Sequence, residues 1–264
     1  MYFRRVKNIF LPINYLGYLL KAKGAHGIHS PFVYEFYHKV VKESPDYYDF
    51  APIEHLRERL LRSNEVIETI DFGAGNGGKK NKKVKEIIRR SAVPVKEGRL
   101  LFRLVNFVQP KNMVEMGTSL GISTLYQHKA CPDAEFITME GSPGTSAYAA
   151  LNFKIMKADS INRIVGDFAE TLPGVIKKLK SVDYVFFDGN HRKEATMEYF
   201  RKFLALASER CVFVFDDIRW SEGMGEAWKE IIKEPKATVT VDLFSFGLVF
   251  FNPTQVKQHF TLRY

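Results

Sequence analysis

Apolar and polar positions follow two different rhythms along this chain, and the change falls near residue 98. Beyond it, short apolar runs alternate with stretches in which apolar residues recur every three or four positions. The runs are Asn112–Met116, Glu135–Glu140, Ile161–Val165, Val182–Asp188 and Arg210–Asp216. Helical periodicity covers Gly98–Val108, ended by Pro110, and then about 121–130, 143–157, 170–180, 192–207 and 222–233. Strands joined by helices predict a mostly parallel sheet covered on both faces. The last two runs, Ala237–Phe244 and Leu248–Phe251, are joined through Ser245-Phe246-Gly247. A link that short permits only an antiparallel hairpin. The prediction is an α/β fold: a doubly wound, mostly parallel, seven-stranded sheet closed by a C-terminal antiparallel hairpin.

The residues before 98 lack this alternation. They read as helical, punctuated at Pro12, Gly24, Gly27, Pro31, Pro45, Pro52, Gly73 to Gly78 and Pro94. The expected organisation is a helical, basic appendage over 1–97, lying across the mouth of a sheet domain over 98–264.

Composition and charge narrow the classes. A chain of 264 residues with 45% hydrophobic and 26% charged positions is globular. Residues 1–100 carry 19 Lys and Arg against 11 Asp and Glu, a surplus of eight within a net charge of +9. Such a surplus suits an anionic partner or a solvated helical face. Cys131 and Cys211 make neither a disulfide framework nor a metal cluster, which predicts free thiols in a reducing, cytoplasmic compartment. No apolar run reaches the roughly 18 residues of a membrane span. The segment Met1–Leu20 is broken by Pro12, Asn14 and Gly17 and lacks a cleavage site, which speaks against a signal peptide. Peripheral membrane contact and a homodimer are both compatible with the sequence.

The chemistry is concentrated where apolar runs end. Val114 to Ser123 delivers Glu115 into a turn with Gly117, Thr118, Ser119 and Gly121, and Ser123 opens the following helix. The spacing is E-x-G-x-x-x-G rather than the G-x-G-x-x-G that cradles a pyrophosphate. Such a turn suits S-adenosylmethionine, which has no phosphate: Ser123 and backbone N–H groups can take its carboxylate, while Glu115 answers positive charge or orders the turn. Glu140, followed by Gly141 and Ser142, ends the second run with an acid suited to ribose hydroxyls. Asp167 and Phe168 end the third, with an acceptor for the adenine amino group and a ring to stack on it.

Glu115 to Ser123, Glu140, Asp167, Asp188 and the terminal hairpin resemble class I S-adenosylmethionine-dependent methyltransferases, whose sheet is Rossmann-like. Within that family the likeness is to small-molecule O-methyltransferases of the catechol type, and it covers about 98–252. The resemblance implies that Asp188 also belongs to the cofactor site, and that Asp188, Asp216 and Asp217 hold Mg²⁺. It places His191, three residues beyond Asp188, where catechol-type enzymes carry a lysine base. His191 as base, and His191 as a cap on the helix starting near Arg192, both stay open. The expected reaction is O-methylation of a small molecule or sugar hydroxyl, so the expected partner is a small-molecule or glycan substrate. The alternatives are an RNA methyltransferase using the basic first hundred residues and a non-catalytic S-adenosylmethionine-binding protein, with nucleic acid the less favoured partner.

Two segments stand outside these motifs. Asp71–Gly77 mimics a cofactor loop, but polar residues precede it and Lys79-Lys80-Asn81-Lys82-Lys83 follow it. It reads as a flexible turn or an anion site before a basic helix. His26 and His29 lack further ligands for a metal, and Ser30-Pro31 reads as an ordinary helix start. Phe32, Tyr34, Phe36 and Tyr37 either pack on the sheet domain or line a lid.

Overall fold

The structure, a computed structural model, describes residues 10–43, 45–70 and 78–264. In chain order these form helices α1 (Phe10–Lys21), α2 (Pro31–Phe36) and α3 (Phe50–Arg62), strands β1 (Val66–Ile70) and β2 (Lys79–Lys83), and helices α4 (Val84–Ser91) and α5 (Val95–Val108). Then come β3 (Asn112–Met116), α6 (Ile122–Ala130), β4 (Glu135–Glu140), α7 (Pro143–Ile155), β5 (Asn162–Val165), α8 (Phe168–Lys178), β6 (Val182–Phe187) and α9 (Lys193–Leu204). Strand β7 (Ala207–Phe215), α10 (Glu222–Lys233), β8 (Val239–Asp242), β9 (Gly247–Phe250) and β10 (Gln258–Thr261) complete the chain.

The described residues fall into two compact units, 45–180 and 10–43 with 181–264. Eight strands make a mostly parallel large sheet, three from the first unit in the order β3-β4-β5 and five from the second in the order β10-β8-β9-β7-β6. The expected parallel strands and the antiparallel β8–β9 hairpin are present. The sequence predicts seven strands, and the eighth is β10. With four residues, Gln258 and His259 exposed and Phe260 its one apolar side chain, no apolar run announces it, yet it pairs parallel with β8 from Gln258↔Val239 to Thr261↔Asp242.

Within 45–180, β3 is buried along nearly its whole length, the pattern of a strand covered on both faces. Helices α5 and α6 pack closely because Gly98 has no side chain: a Cβ there would lie 2.4 Å from the Tyr126 ring. Arg99 grips Glu54 with Nε at 2.7 Å from Oε1 and Nη2 at 3.1 Å from Oε2, a two-point contact that ties α5 to α3.

One part of this unit departs from the expected helical appendage. Val66–Ile70 and Lys79–Lys83 are strands, paired antiparallel in a separate two-stranded ribbon. The basic helix expected after the glycines is therefore a strand, and helix begins only at Val84. In a helix Lys79 would crowd Lys82 and Lys83 on one face. As a strand, neighbouring lysines point to opposite faces, and Lys79 Nζ meets Glu68 Oε1 across the ladder at 3.0 Å. The Asp71–Gly77 loop lies outside the described residues.

Within the other unit, α1 lies on the turn between β8 and β9. Tyr18 is buried, its ring and that of Tyr15 pack on Phe244 with centroids 5.3 and 4.9 Å away, and its hydroxyl donates to the Leu262 carbonyl. Arg219 pairs with Asp242 and spreads its guanidinium over the Tyr18 and Phe244 rings. The same turn accepts a backbone bond from Ile218 to Ser245, so α1 rests at the end of the sheet where β7 releases Asp216 and Asp217. Ser30 caps α2 through the Val33 N–H, with Pro31 at the first helical position. Phe32 and Phe36 pack edge-on against Phe250.

Candidate active site

The turn after β3 is assembled around Glu115. Its side chain is wholly buried, and its carboxylate accepts from the Ser123 hydroxyl at 2.7 Å, the Gln127 amide at 2.7 Å, the Thr138 hydroxyl at 2.7 Å and the Thr124 hydroxyl. Burial pushes its pKa up, and the four donors pull it back down. Ser123, expected at the cofactor carboxylate, thus gives its proton to Glu115. A hydroxyl has one proton to give. Since Thr138 donates to Glu115, the 2.6 Å contact between Thr118 and Thr138 has Thr118 as donor. A relay therefore runs from the glycine turn through the neighbouring strand to the buried acid.

The rest of the turn is held by its backbone. The N–H groups of Gly117 and Thr118 both donate to the Met139 carbonyl, at 2.9 and 3.1 Å. Gly117 and Gly121 have φ of 114° and 85°, and Ser119 has φ of 48°. Gly121 must also be small, because a Cβ would stand 2.4 Å from the Phe153 ring. The Asn152 amide donates to the Leu120 carbonyl at 2.9 Å.

Glu140 ends β4 half-buried, and its two oxygens accept one backbone N–H each, from Ser119 at 2.8 Å and Ser142 at 2.9 Å. Each carboxylate oxygen retains a second lone pair, which is the capacity that two ribose hydroxyls need. Burial raises the Glu140 pKa, and the two N–H groups oppose that rise. Gly141 follows, and Ser142 caps α7 and accepts from Ile70 N–H of the ribbon at 3.1 Å. Asp167 caps α8, accepting from Ala169 N–H at 2.7 Å, with Phe168 half-buried at the first helical position. The structure thus brings the turn and Glu140 into direct contact, with Asp167 and Phe168 at the end of the adjoining strand β5. Glu140 has the acceptor capacity for two hydroxyls, and Asp167 and Phe168 offer a carboxylate and a ring, the groups that a nucleoside would use.

Several supports belong to no motif of the sequence. Ser91, at the end of α4, holds the Ser119 hydroxyl at 2.6 Å. Thr138 sits opposite Glu115 in the β3–β4 ladder, and Thr124 and Gln127 lie on the first turns of α6. An acid in an apolar run, faced by a polar residue in the next run, was the available signal.

The second unit carries the remaining candidates. Asp188 follows β6, with Oδ1 3.6 Å from Nε2 of His191, ion-pair distance when the imidazole is protonated. His191 precedes α9, and no side chain caps that helix at Arg192. Asp216 is buried after β7, and its Oδ1 accepts the Asp217 N–H at 2.8 Å. Asp217 has φ of 53°. Among the described residues no three His, Cys, Asp or Glu side chains converge on a point where a metal ion would be held. Asp188 follows β6, and Asp216 and Asp217 follow β7, the strand paired parallel with it. His26 and His29 likewise join no such group. Among the described residues no helix is long and apolar enough to cross a membrane.

Known proteins resemble this chain in both sequence and fold. Residues 114–218 match the methyltransferase domain family. The chain is 30% identical over 131 residues to a catechol O-methyltransferase of Mycobacterium tuberculosis (strain ATCC 25618 / H37Rv), covering 49% of this chain and 58% of that protein. It is 29% identical over 130 residues to a catechol O-methyltransferase of Niastella koreensis, covering 48% and 58%. The match thus spans under two thirds of these relatives. Among solved structures, the O-methyltransferase TomG from Streptomyces achromogenes, in complex with S-adenosylmethionine, superposes with a TM-score of 0.58 at 18% identity, covering 82% of this chain and 94% of that one. Residues 114–218 thus match a methyltransferase domain, and the chain shares its fold with solved O-methyltransferases.

Proposed function

We propose that this protein is an S-adenosylmethionine-dependent methyltransferase that methylates a hydroxyl of a small molecule or sugar. The observation that carries the reading is Glu140. It is a half-buried acid pinned by the backbone of Ser119 and Ser142, with acceptor capacity left over, beside the glycine turn that Glu115 holds. In this reading residues 98–264 are the catalytic domain and 1–97 the appendage. Ser119, Glu140, Gly141, Ser142, Asp167 and Phe168 hold the cofactor, with Gly117, Thr118 and Gly121 shaping its cradle.

S-adenosylmethionine supplies a methyl group on a sulfonium; the acceptor oxygen bonds to that carbon as the carbon–sulfur bond breaks and its electrons return to sulfur. The hydroxyl must also lose its proton. His191 takes it at the imidazole, and the Asp188 carboxylate 3.6 Å away stabilises the imidazolium that forms. Positioning accounts for much of the remaining rate.

The test is a methyl-transfer screen with labelled cofactor against phenols, sugars and RNA, with and without Mg²⁺. Transfer to a hydroxyl acceptor, with His191→Ala lowering kcat by about 100-fold and a conventional base in solution restoring part of it, supports the reading. Absence of S-adenosylmethionine binding by calorimetry overturns it. A Mg²⁺ requirement that Asp216→Asn abolishes would assign Asp188, Asp216 and Asp217 as its ligands. A second reading, methyl transfer to RNA, draws support from the ribbon and α4, where Lys80, Lys83, Arg89 and Arg90 are exposed. Salt-sensitive RNA retention is its signature.

A further inference from the structure

The two N–H groups that hold Glu140 belong to serines, and each serine is held in turn by the chain before residue 98. Glu140 Oε2 accepts the Ser119 N–H at 2.8 Å, and Oε1 accepts the Ser142 N–H at 2.9 Å. The Ser119 hydroxyl meets that of Ser91 in α4 at 2.6 Å, and the Ser142 hydroxyl accepts the Ile70 N–H of β1 at 3.1 Å. Ser91 and Ile70 both lie outside residues 114–218, the part of the chain that matches a methyltransferase domain.

The direction of the Ser91 contact follows from its protons. The Ser91 hydroxyl donates to the Ile87 carbonyl one turn back in α4, at 2.9 Å. A hydroxyl has one proton to give, so Ser119 is the donor between the two serines. Ser119 needs such an anchor. Its φ of 48° lies in the left-handed region, which a residue with a side chain keeps only where its surroundings fix it. The same backbone carries the N–H that reaches Glu140. Helix α4 is a firm support for this anchor. Its Val84, Ile87 and Ile88 are buried, and the Val93 carbonyl just beyond it accepts from Arg57 Nη1 of α3 at 2.6 Å.

We propose that Ser91 is a positioning residue for the cofactor. It fixes Ser119, and through the Ser119 N–H it sets the Glu140 carboxylate toward the ribose hydroxyls. The inference rests on the reading of Glu140 as the ribose-binding acid. It gives the segment before residue 98 a part in the cofactor site.

The test is calorimetric titration of the full chain with S-adenosylhomocysteine, the product of methyl transfer. Ser91→Ala is expected to weaken binding about two- to tenfold, the range of one hydrogen bond between neutral groups. Alanine is the better helix former, so α4 is kept. Ser91→Thr retains a hydroxyl and is expected to bind as the wild-type chain does, which assigns the loss to the hydroxyl. Because Ser91 acts through Glu140, Ser91→Ala should add nothing to the loss from Glu140→Ala. Equal binding by Ser91→Ala and the wild-type chain overturns the inference and leaves the reading of Glu140 standing. So does a loss from Ser91→Ala that persists undiminished in the Glu140→Ala background. A wild-type chain that binds no S-adenosylhomocysteine overturns the reading of the site, and the inference with it.

Discussion

Thr138 stands opposite Glu115 in the β3–β4 ladder, and its hydroxyl donates to the buried carboxylate at 2.7 Å while accepting from Thr118. One side chain therefore connects the strand, the acid and the glycine turn. Thr138→Val keeps the shape and removes the relay. It leaves a buried carboxylate oxygen one donor short and Thr118 without its acceptor, at a cost of about 1–3 kcal/mol. Urea unfolding measures the loss. A neutral result would mean that the relay contributes nothing beyond packing.

With Glu140 at the cofactor as proposed, S-adenosylmethionine binding is expected to weaken in acid. Burial raises its pKa above the usual carboxylate value of 4.5. Above that raised value the group is ionised and accepts hydroxyl protons; below it the carboxyl is protonated and loses acceptor capacity. S-adenosylmethionine affinity is expected to fall on acidification at a higher pH than an ordinary carboxylate would give. Glu140→Gln should bind more weakly, and its affinity should be flat over that range. Calorimetric titrations across the acid range compare the two.

Gly121 separates backbone strain from crowding. Its φ of 85° is shared by Gly78, but a Cβ at 121 meets Phe153 at 2.4 Å whereas none of the described atoms lies within 4 Å at 78. Gly78→Ala incurs only the left-handed penalty, about 1–2 kcal/mol. Gly121→Ala adds overpacking of about 1–3 kcal/mol. It should also lower cofactor affinity, because the turn shifts with Phe153. Denaturation midpoints of the two variants, measured side by side, give the difference.

His128 is buried, and its Nδ1 has no hydrogen-bond partner among the described residues. Burial, and then the neighbouring Lys129 charge, lower its pKa below the usual 6.5. The unfolded chain consequently binds this proton at a higher pH than the folded one. The stability contribution is full above pH 6.5 and is lost as pH falls toward the lowered value. His128→Leu should flatten that part of the stability profile, as read from urea unfolding on both sides of the window.

Sequence periodicity reaches β3, β4 and α10 to the residue, because each is bounded by turn chemistry and faces a buried layer. It does not reach β10, whose Gln258 and His259 give no apolar rhythm. It misreads β2 because a run of lysines carries charge but no period. The site shows the same division. The ends of apolar runs announce Glu115, Glu140 and Asp167, whereas the partners of Glu115 depend on the β3–β4 register, and Ser91 on the path of α4. The aspartates illustrate the converse. Adjacency in sequence suggests that Asp216 and Asp217 act together; both lie beyond β7, and Asp217 has left the extended conformation with φ of 53°. Asp216 is turned inward, and its Oδ1 is engaged by the backbone of Asp217.

Gly144, the second residue of α7, lies so close to the ribbon that a Cβ there would fall 2.1 Å from the Glu68 carbonyl oxygen. Backbone meets backbone at that point, and no rotamer can relieve an added atom. Side chains of the ribbon can change without touching this contact, but position 144 admits a side chain only if the ribbon moves. The history of the ribbon and that of the helix are therefore joined at one hydrogen atom.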